Sequence, residues 1–116
     1  MGTVNFTLST IVGIFSTVLA GTAIAEPDAR CASRIGFYQP PTGIVSTPKN
    51  ASRVAEIYLS SVYGSDQIKS QLPFDITAEN GVWLVTGKLP RGFVGGVAEI
   101  EICQSNGLVL RIAHGK

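Results

Sequence analysis

The apolar residues of this chain change their period once, near Leu72, and that change limits the fold more than any other feature. Before it, Ala51, Val54, Ala55, Tyr58, Leu59 and Val62 lie on a 3.6-residue stripe; after it, Phe74, Ile76 and Ala78 alternate with Asp75, Thr77 and Glu79. A stripe of the first kind covers one side of a helix, and strict alternation covers one face of a strand. Local chemistry bounds the helix. Thr47 offers a side-chain acceptor to an unpaired amide, Pro48 lacks the amide that a first turn leaves unsatisfied, and Gly64 tolerates the backbone that ends a helix. The spacing therefore predicts one amphipathic helix of about four turns. Ser65 to Gln71 adds a short second helical stretch, capped by Ser65 or Asp66.

Four strands follow in the sequence. Glu79-Asn80-Gly81 closes the first with hairpin chemistry, since Asn-Gly accepts the positive φ values of a two-residue turn. Val82 to Leu89 is apolar on both faces in its first half, the mark of a central strand covered on two sides. In "VAEIEIC", Ala98, Ile100 and Ile102 share one face and Glu99 and Glu101 the other. Asn106-Gly107 supplies a second tight turn, and the last strand is expected to place Leu108, Leu110 and Ile112 inward and Arg111 outward. A helix followed by an antiparallel meander of about four strands is an α+β domain in which the helix stripe packs on the apolar face of the sheet.

A length of 116 residues, 45% hydrophobic, allows a single core. Nine basic and eight acidic side chains give a formal charge of +1, which removes electrostatic steering towards nucleic acid or an anionic membrane.

Residues 1–25 are sequence of another kind. They carry no charged side chain, and the run from Ile11 to Ala20 is shorter than the roughly 20 apolar residues needed to span a bilayer. Ala23-Ile24-Ala25 then matches the small-x-small pattern of signal-peptide cleavage. The expectation is a signal peptide over 1–25, cut before Glu26, and a single periplasmic domain over 26–116, with a retained anchor as the alternative. Residues 26–47, broken by Pro40-Pro41 and Gly43, read as an irregular arm.

Export decides how the two cysteines are read. In an oxidising compartment Cys31 and Cys103 are expected to form a disulfide. The rival is a cysteine nucleophile working with His114, the one histidine, but no third orienting group accompanies them. One His and two bridged Cys cannot supply the three or four ligands of a metal centre, and no helix follows Gly92, Gly95 and Gly96 to make a phosphate loop. No cofactor is implied. Asp75, Glu79, Glu99 and Glu101 fall on the phase opposite the inward aliphatic positions, so only His114 offers acid–base chemistry there, and as a lone strand-end histidine it reads as structural.

From Gly81 to Lys116 the sequence "GVWLVTGKLPRGFVGGVAEIEICQSNGLVLRIAHGK" resembles the bacterial immunity proteins with a nuclear transport factor two-like fold. The pieces that carry the resemblance are Trp83 through Thr86-Gly87, the spacing of Leu89-Pro90 to Gly95-Gly96, and Arg111-Ile112 with His114-Gly115; the similarity extends back to about Ser46. The resemblance implies a cone-like α+β domain with a curved sheet, which binds and neutralises a cognate toxin of an interbacterial polymorphic-toxin system. The leader, arm and cysteine pair add that the toxin acts on the wall or periplasm. The alternatives are a periplasmic small-ligand-binding protein or enzyme using the concavity of the sheet, and a general hydrolase inhibitor.

Candidate contact residues follow from side-chain type. In "LPRGFVGG", Leu89 to Gly96, Arg91 and Phe93 are the kinds of residue that carry binding energy at interfaces, although Phe93 could instead fold over the rim of the core. Glu99, Glu101 and Arg111, on the solvent face of the sheet, form a second candidate patch. Trp83 is expected under the disulfide-tied arm, with Phe37 and Tyr38 as partners.

Overall fold

The computed structural model describes residues 2–3, 13, 26–32 and 40–116. Most of the expected leader, and Phe37 and Tyr38, lie outside the described residues. A single 3-10 turn at Ala29–Cys31 precedes helix α1 (Pro48–Tyr63), helix α2 (Ser65–Lys69) and strands β1 (Asp75–Glu79), β2 (Val82–Thr86), β3 (Ala98–Cys103) and β4 (Val109–His114). The strands form one antiparallel sheet in the order β1-β2-β3-β4, and α1 lies across β1, β2 and β3. This is the expected α+β meander.

The α1 boundaries match the chemistry of their ends. The Thr47 hydroxyl accepts the Asn50 amide at 3.1 Å, Pro48 occupies the first turn, and Gly64 at φ 95° closes the helix. The α2 helix departs from expectation, because Gly64 precedes it and neither Ser65 nor Asp66 caps it with a side chain. The buried line of α1 is Ala51, Ala55 and Leu59, with Tyr63 packed beside it. These positions are four apart and form a single ridge that precesses slowly round the helix. Tyr58 and Val62, expected on the stripe, are therefore 45% and 55% exposed.

Both faces of β2 are covered, as its composition implied. On the helix face Trp83 and Val85 join Ile100, Ile102, Leu59, Ile68 and Phe74 in the main core. On the other face Val82 packs with Cys31 and Cys103, flanked by Leu84 and Leu110. The strand is shorter than expected and ends at Thr86, because the Lys88 amide turns away to the backbone carbonyl of Gln71 at 2.8 Å.

Trp83 meets the arm as expected, on the helix side of the sheet: it is in the main core with Val45, and its indole N–H donates to the Val45 carbonyl at 2.7 Å. The arm is fixed there because Ile44 and Val45 donate their amides to the carbonyls of Ser105 and Gln104, both at 3.1 Å. On β4 the simple alternation fails. A register irregularity opposite Glu101 and Ile102 pairs Ile100 with Ile112 but Ile102 with Val109. The extra residue reverses the phase, so Val109 and Ile112 join the main core, Leu110 packs on the disulfide side, and Leu108 is exposed.

The disulfide joins Cys31 to Cys103 across 72 positions, with Cα atoms 5.6 Å apart. Asn106 ties the same region together: its amide donates to the Cys31 carbonyl and its carbonyl accepts the Leu108 amide, both at 2.9 Å.

Candidate functional site

The segment between β2 and β3 is held firmly at both ends. At its base the Gly87 amide donates to the Ala98 carbonyl at 2.8 Å, while the Ala98 amide donates to Oε1 of Gln71, also at 2.8 Å. Gln71 is buried, and its backbone carbonyl takes the Lys88 amide. One residue after α2 thus secures both strand ends that enter the loop. Further along, Gly96 lies so close to the Gly115 backbone that any Cβ at Gly96 would collide with it, and the Gly115 amide donates to Val97 at 3.0 Å. This close approach accounts for a glycine at position 96 better than flexibility does.

At the tip, the Phe93 amide donates to the Pro90 carbonyl at 3.1 Å, with Gly92 at φ 85°. This is the pattern of a turn that needs a positive φ at its third residue, which glycine supplies. The second residue of the turn is Arg91, which is exposed. Phe93 is 67% exposed, so it does not fold back into the core. Among the described residues no carboxylate pairs with Arg91.

The loop and α2 enclose a groove of about 460 Å³. Leu89, Pro90, Phe93 and Val94 line one side, and Gln67, Ser70 and Gln71 the other. Gly96 and His114 complete it.

The half-buried His114 ring sits beside Tyr63 of α1, with centroids 5.1 Å apart. Its hydrogen bonds assign the tautomer. Nδ1 lies 2.7 Å from the Gly115 carbonyl, which only accepts, so Nδ1 carries the proton. The amide of Ala98 holds Oε1 of Gln71 and thereby turns the Gln71 NH2 towards Nε2, at 3.4 Å; Gln67 Nε2 lies 3.2 Å from the same atom. Nε2 is thus an acceptor shared by two carboxamides. Ser70 donates its hydroxyl to the Gln67 carbonyl at 2.6 Å. The groove offers apolar surface and carboxamides, an arrangement suited to recognition.

Glu99, Glu101 and Arg111 do not line this groove. They lie on the sheet face away from the helices, where Arg111 donates to Glu99 at 2.9 Å with both side chains substantially exposed. Such a pair contributes about 0–1 kcal/mol. Arg30, which sequence reasoning did not select, joins this face. It grips Asp28 through Nε at 3.1 Å and Nη2 at 2.7 Å, and together with Glu79 and Glu101 it lines a shallow depression. The Arg30 hydrogen bond holds the Asp28 carboxyl below the usual carboxylate range, and Asp28 in turn raises the affinity of Arg30 for its proton. Sequence reasoning also missed Gln67, Ser70 and Gln71, whose only signal was their position after the first helix.

A helix packed on a four-stranded antiparallel meander, with a firmly held exposed loop beside a groove, defines a small α+β domain. The family model for NTF2 fold immunity proteins matches residues 50–116, more than half of the chain, and the chain belongs to that family. The match covers α1 from its first turn, α2, the whole sheet and the groove. An uncharacterized protein of Escherichia coli K12, YhhH, is 35% identical over 74 residues, which are 63% of this chain and 58% of that protein. The chain thus spans less than two thirds of the length of the curated relative it matches. No solved structure matches it. Among the described residues no helix is long and apolar enough to cross a membrane.

Proposed function

We propose that this is an exported immunity protein, released into the periplasm by cleavage after Ala25, which binds a cognate secreted bacterial toxin and occludes its active site. Membership of an immunity-protein family implies a toxin-neutralising, non-enzymatic binding role, and the Cys31–Cys103 bridge fits an oxidising compartment. The observation that carries the proposal is the tip of the Leu89–Gly96 loop. An exposed Phe93 and an Arg91 without an ion-pair partner among the described residues stand on a turn whose two flanks are tied to Gln71 and Gly115. An aromatic residue and an arginine held ready in this way lose little entropy on binding. Arg91 brings a planar fork that engages a carboxylate through two hydrogen bonds, and Phe93 brings apolar area.

The test is protection. Each neighbouring gene product that is toxic when directed to the periplasm is co-expressed with this protein, with and without residues 1–25. Rescue by the exported form alone, together with a complex of fixed stoichiometry, is the expected result. Rescue only by the form kept in the cytoplasm overturns the location. Protection from none of them, with a small molecule co-purifying in the groove, would favour a ligand-binding protein.

A further inference from the structure

The groove beside α2 carries two kinds of chemistry, and together they describe what it is built to receive. Leu89, Phe93 and Val94 are 43%, 67% and 97% exposed. Single exposed apolar residues are ordinary, but a cluster of large ones around a cavity marks an interaction site. The volume, about 460 Å³, lies within the roughly 300–1,000 Å³ typical of ligand-binding clefts.

The charged residues that flank the lining of the groove in sequence are mostly basic, with Asp66, next to Gln67, the acidic exception. Among the described residues no carboxylate lines the groove. Arg91 stands between the lining residues Pro90 and Phe93, Lys69 next to Ser70, and Lys116 two positions after His114. None of the three is in an ion pair among the described residues. Gln67 spends its NH2 on His114, and its side-chain oxygen, exposed at the groove, takes no hydrogen bond among the described residues. It is available to a backbone amide.

We propose that the groove receives an apolar side chain of the partner protein that adjoins a carboxylate, with the apolar group against Leu89, Phe93 and Val94 and the carboxylate on Arg91. The inference rests on the binding role proposed above and adds the chemistry of the segment recognised.

N-acetyl dipeptide amides serve as probes: Phe-Asp, Phe-Asn and Phe-Lys are titrated into the isotopically labelled protein while the amides of Gly95, Gly96, Ala98 and His114 are followed by NMR. Phe-Asp is expected to give saturable shifts there, with Phe-Lys at least about tenfold weaker and Arg91→Glu reversing the preference. Ser70→Trp, which fills the groove from an exposed position, is expected to abolish the shifts. Equal responses to Phe-Asp and Phe-Lys, shifts centred on Glu99 and Arg111, or no saturable response would each overturn the proposal. Concentration-dependent self-association that is lost in Phe93→Ser would do so as well, by making a second copy the occupant. The two readings fail separately. Phe-Asp binding in a protein that protects against no toxin would sink the immunity role alone. Protection and toxin affinity left intact in Ser70→Trp, without a Phe-Asp response, would sink the groove alone.

Discussion

Oε1 of Gln71 accepts the backbone amide of Ala98 at 2.8 Å, and through that bond a residue just beyond α2 fixes the first residue of β3. The same carboxamide reaches His114 at the end of β4. Helix, loop and C-terminal strand are thus joined by one buried side chain. Gln71→Leu keeps the volume but leaves the Ala98 amide unpaired, which costs about 1–3 kcal/mol. Thermal unfolding should fall by roughly 4–8 °C per kcal/mol lost, with faster hydrogen exchange at Ala98. An unchanged melting temperature would show that water replaces the carboxamide.

The Cys31–Cys103 bridge closes a loop of 72 positions, for which the chain-entropy account gives about 4 kcal/mol of stabilisation. Cys31→Ser with Cys103→Ser should lower the melting temperature sharply, while the rest of the sheet keeps its hydrogen bonds until unfolding. Intact mass after alkylation, with and without reductant, should show no free thiol in protein recovered from the periplasm. Two alkylated thiols without reductant would refute the bridge there.

Arg91→Ala combined with Phe93→Ala should weaken toxin binding about thirtyfold or more, the equivalent of a hot spot of at least about 2 kcal/mol. Both residues are exposed, so the melting temperature should stay within a few degrees. Unchanged affinity would move the interface to the outer sheet face around Glu99, Glu101 and Arg111.

His114 is proposed to act as a structural acceptor at Nε2 and not as a base. His114→Gln retains a side-chain acceptor, so protection from the toxin should stay within several-fold of the unaltered protein. Complete loss of protection in a variant that folds would assign the residue a direct role.

Asp28 titrates with a defined sign. Its carboxyl is held below the ordinary range by Arg30, so the bond stabilises the fold above the unfolded-state pKa and ceases to do so as pH falls through the folded one. Asp28→Asn should therefore differ from the unaltered protein at neutral pH and converge with it in acid, measured by urea unfolding at a series of pH values. A difference that grew towards low pH would contradict this.

The sequence by itself determined the parts governed by local chemistry and by period. Thr47 and Pro48 begin α1 and Gly64 ends it, Asn80-Gly81 turns β1 into β2 with φ values of 50° and 79°, and the change from a helical to an alternating pattern yields the α+β order. The loop that holds Arg91 and Phe93 was legible for the same reason, since its glycines, proline and isolated aromatic residue stand outside either period. Tertiary structure decided the rest. An i+4 ridge and a stripe of period 3.6 diverge over four turns, so contact with the twisted sheet selected Tyr63 over Val62. One extra residue in β4 sent Leu110 to the disulfide side, which alternation alone could not foresee. The groove is the clearest case: Gln67, Ser70 and Gln71 are distant in sequence from Phe93 and His114, and only the packing of α2 against the β2–β3 loop brings them together. Side-chain periodicity records which face of an element is buried; it carries no record of which other element does the burying.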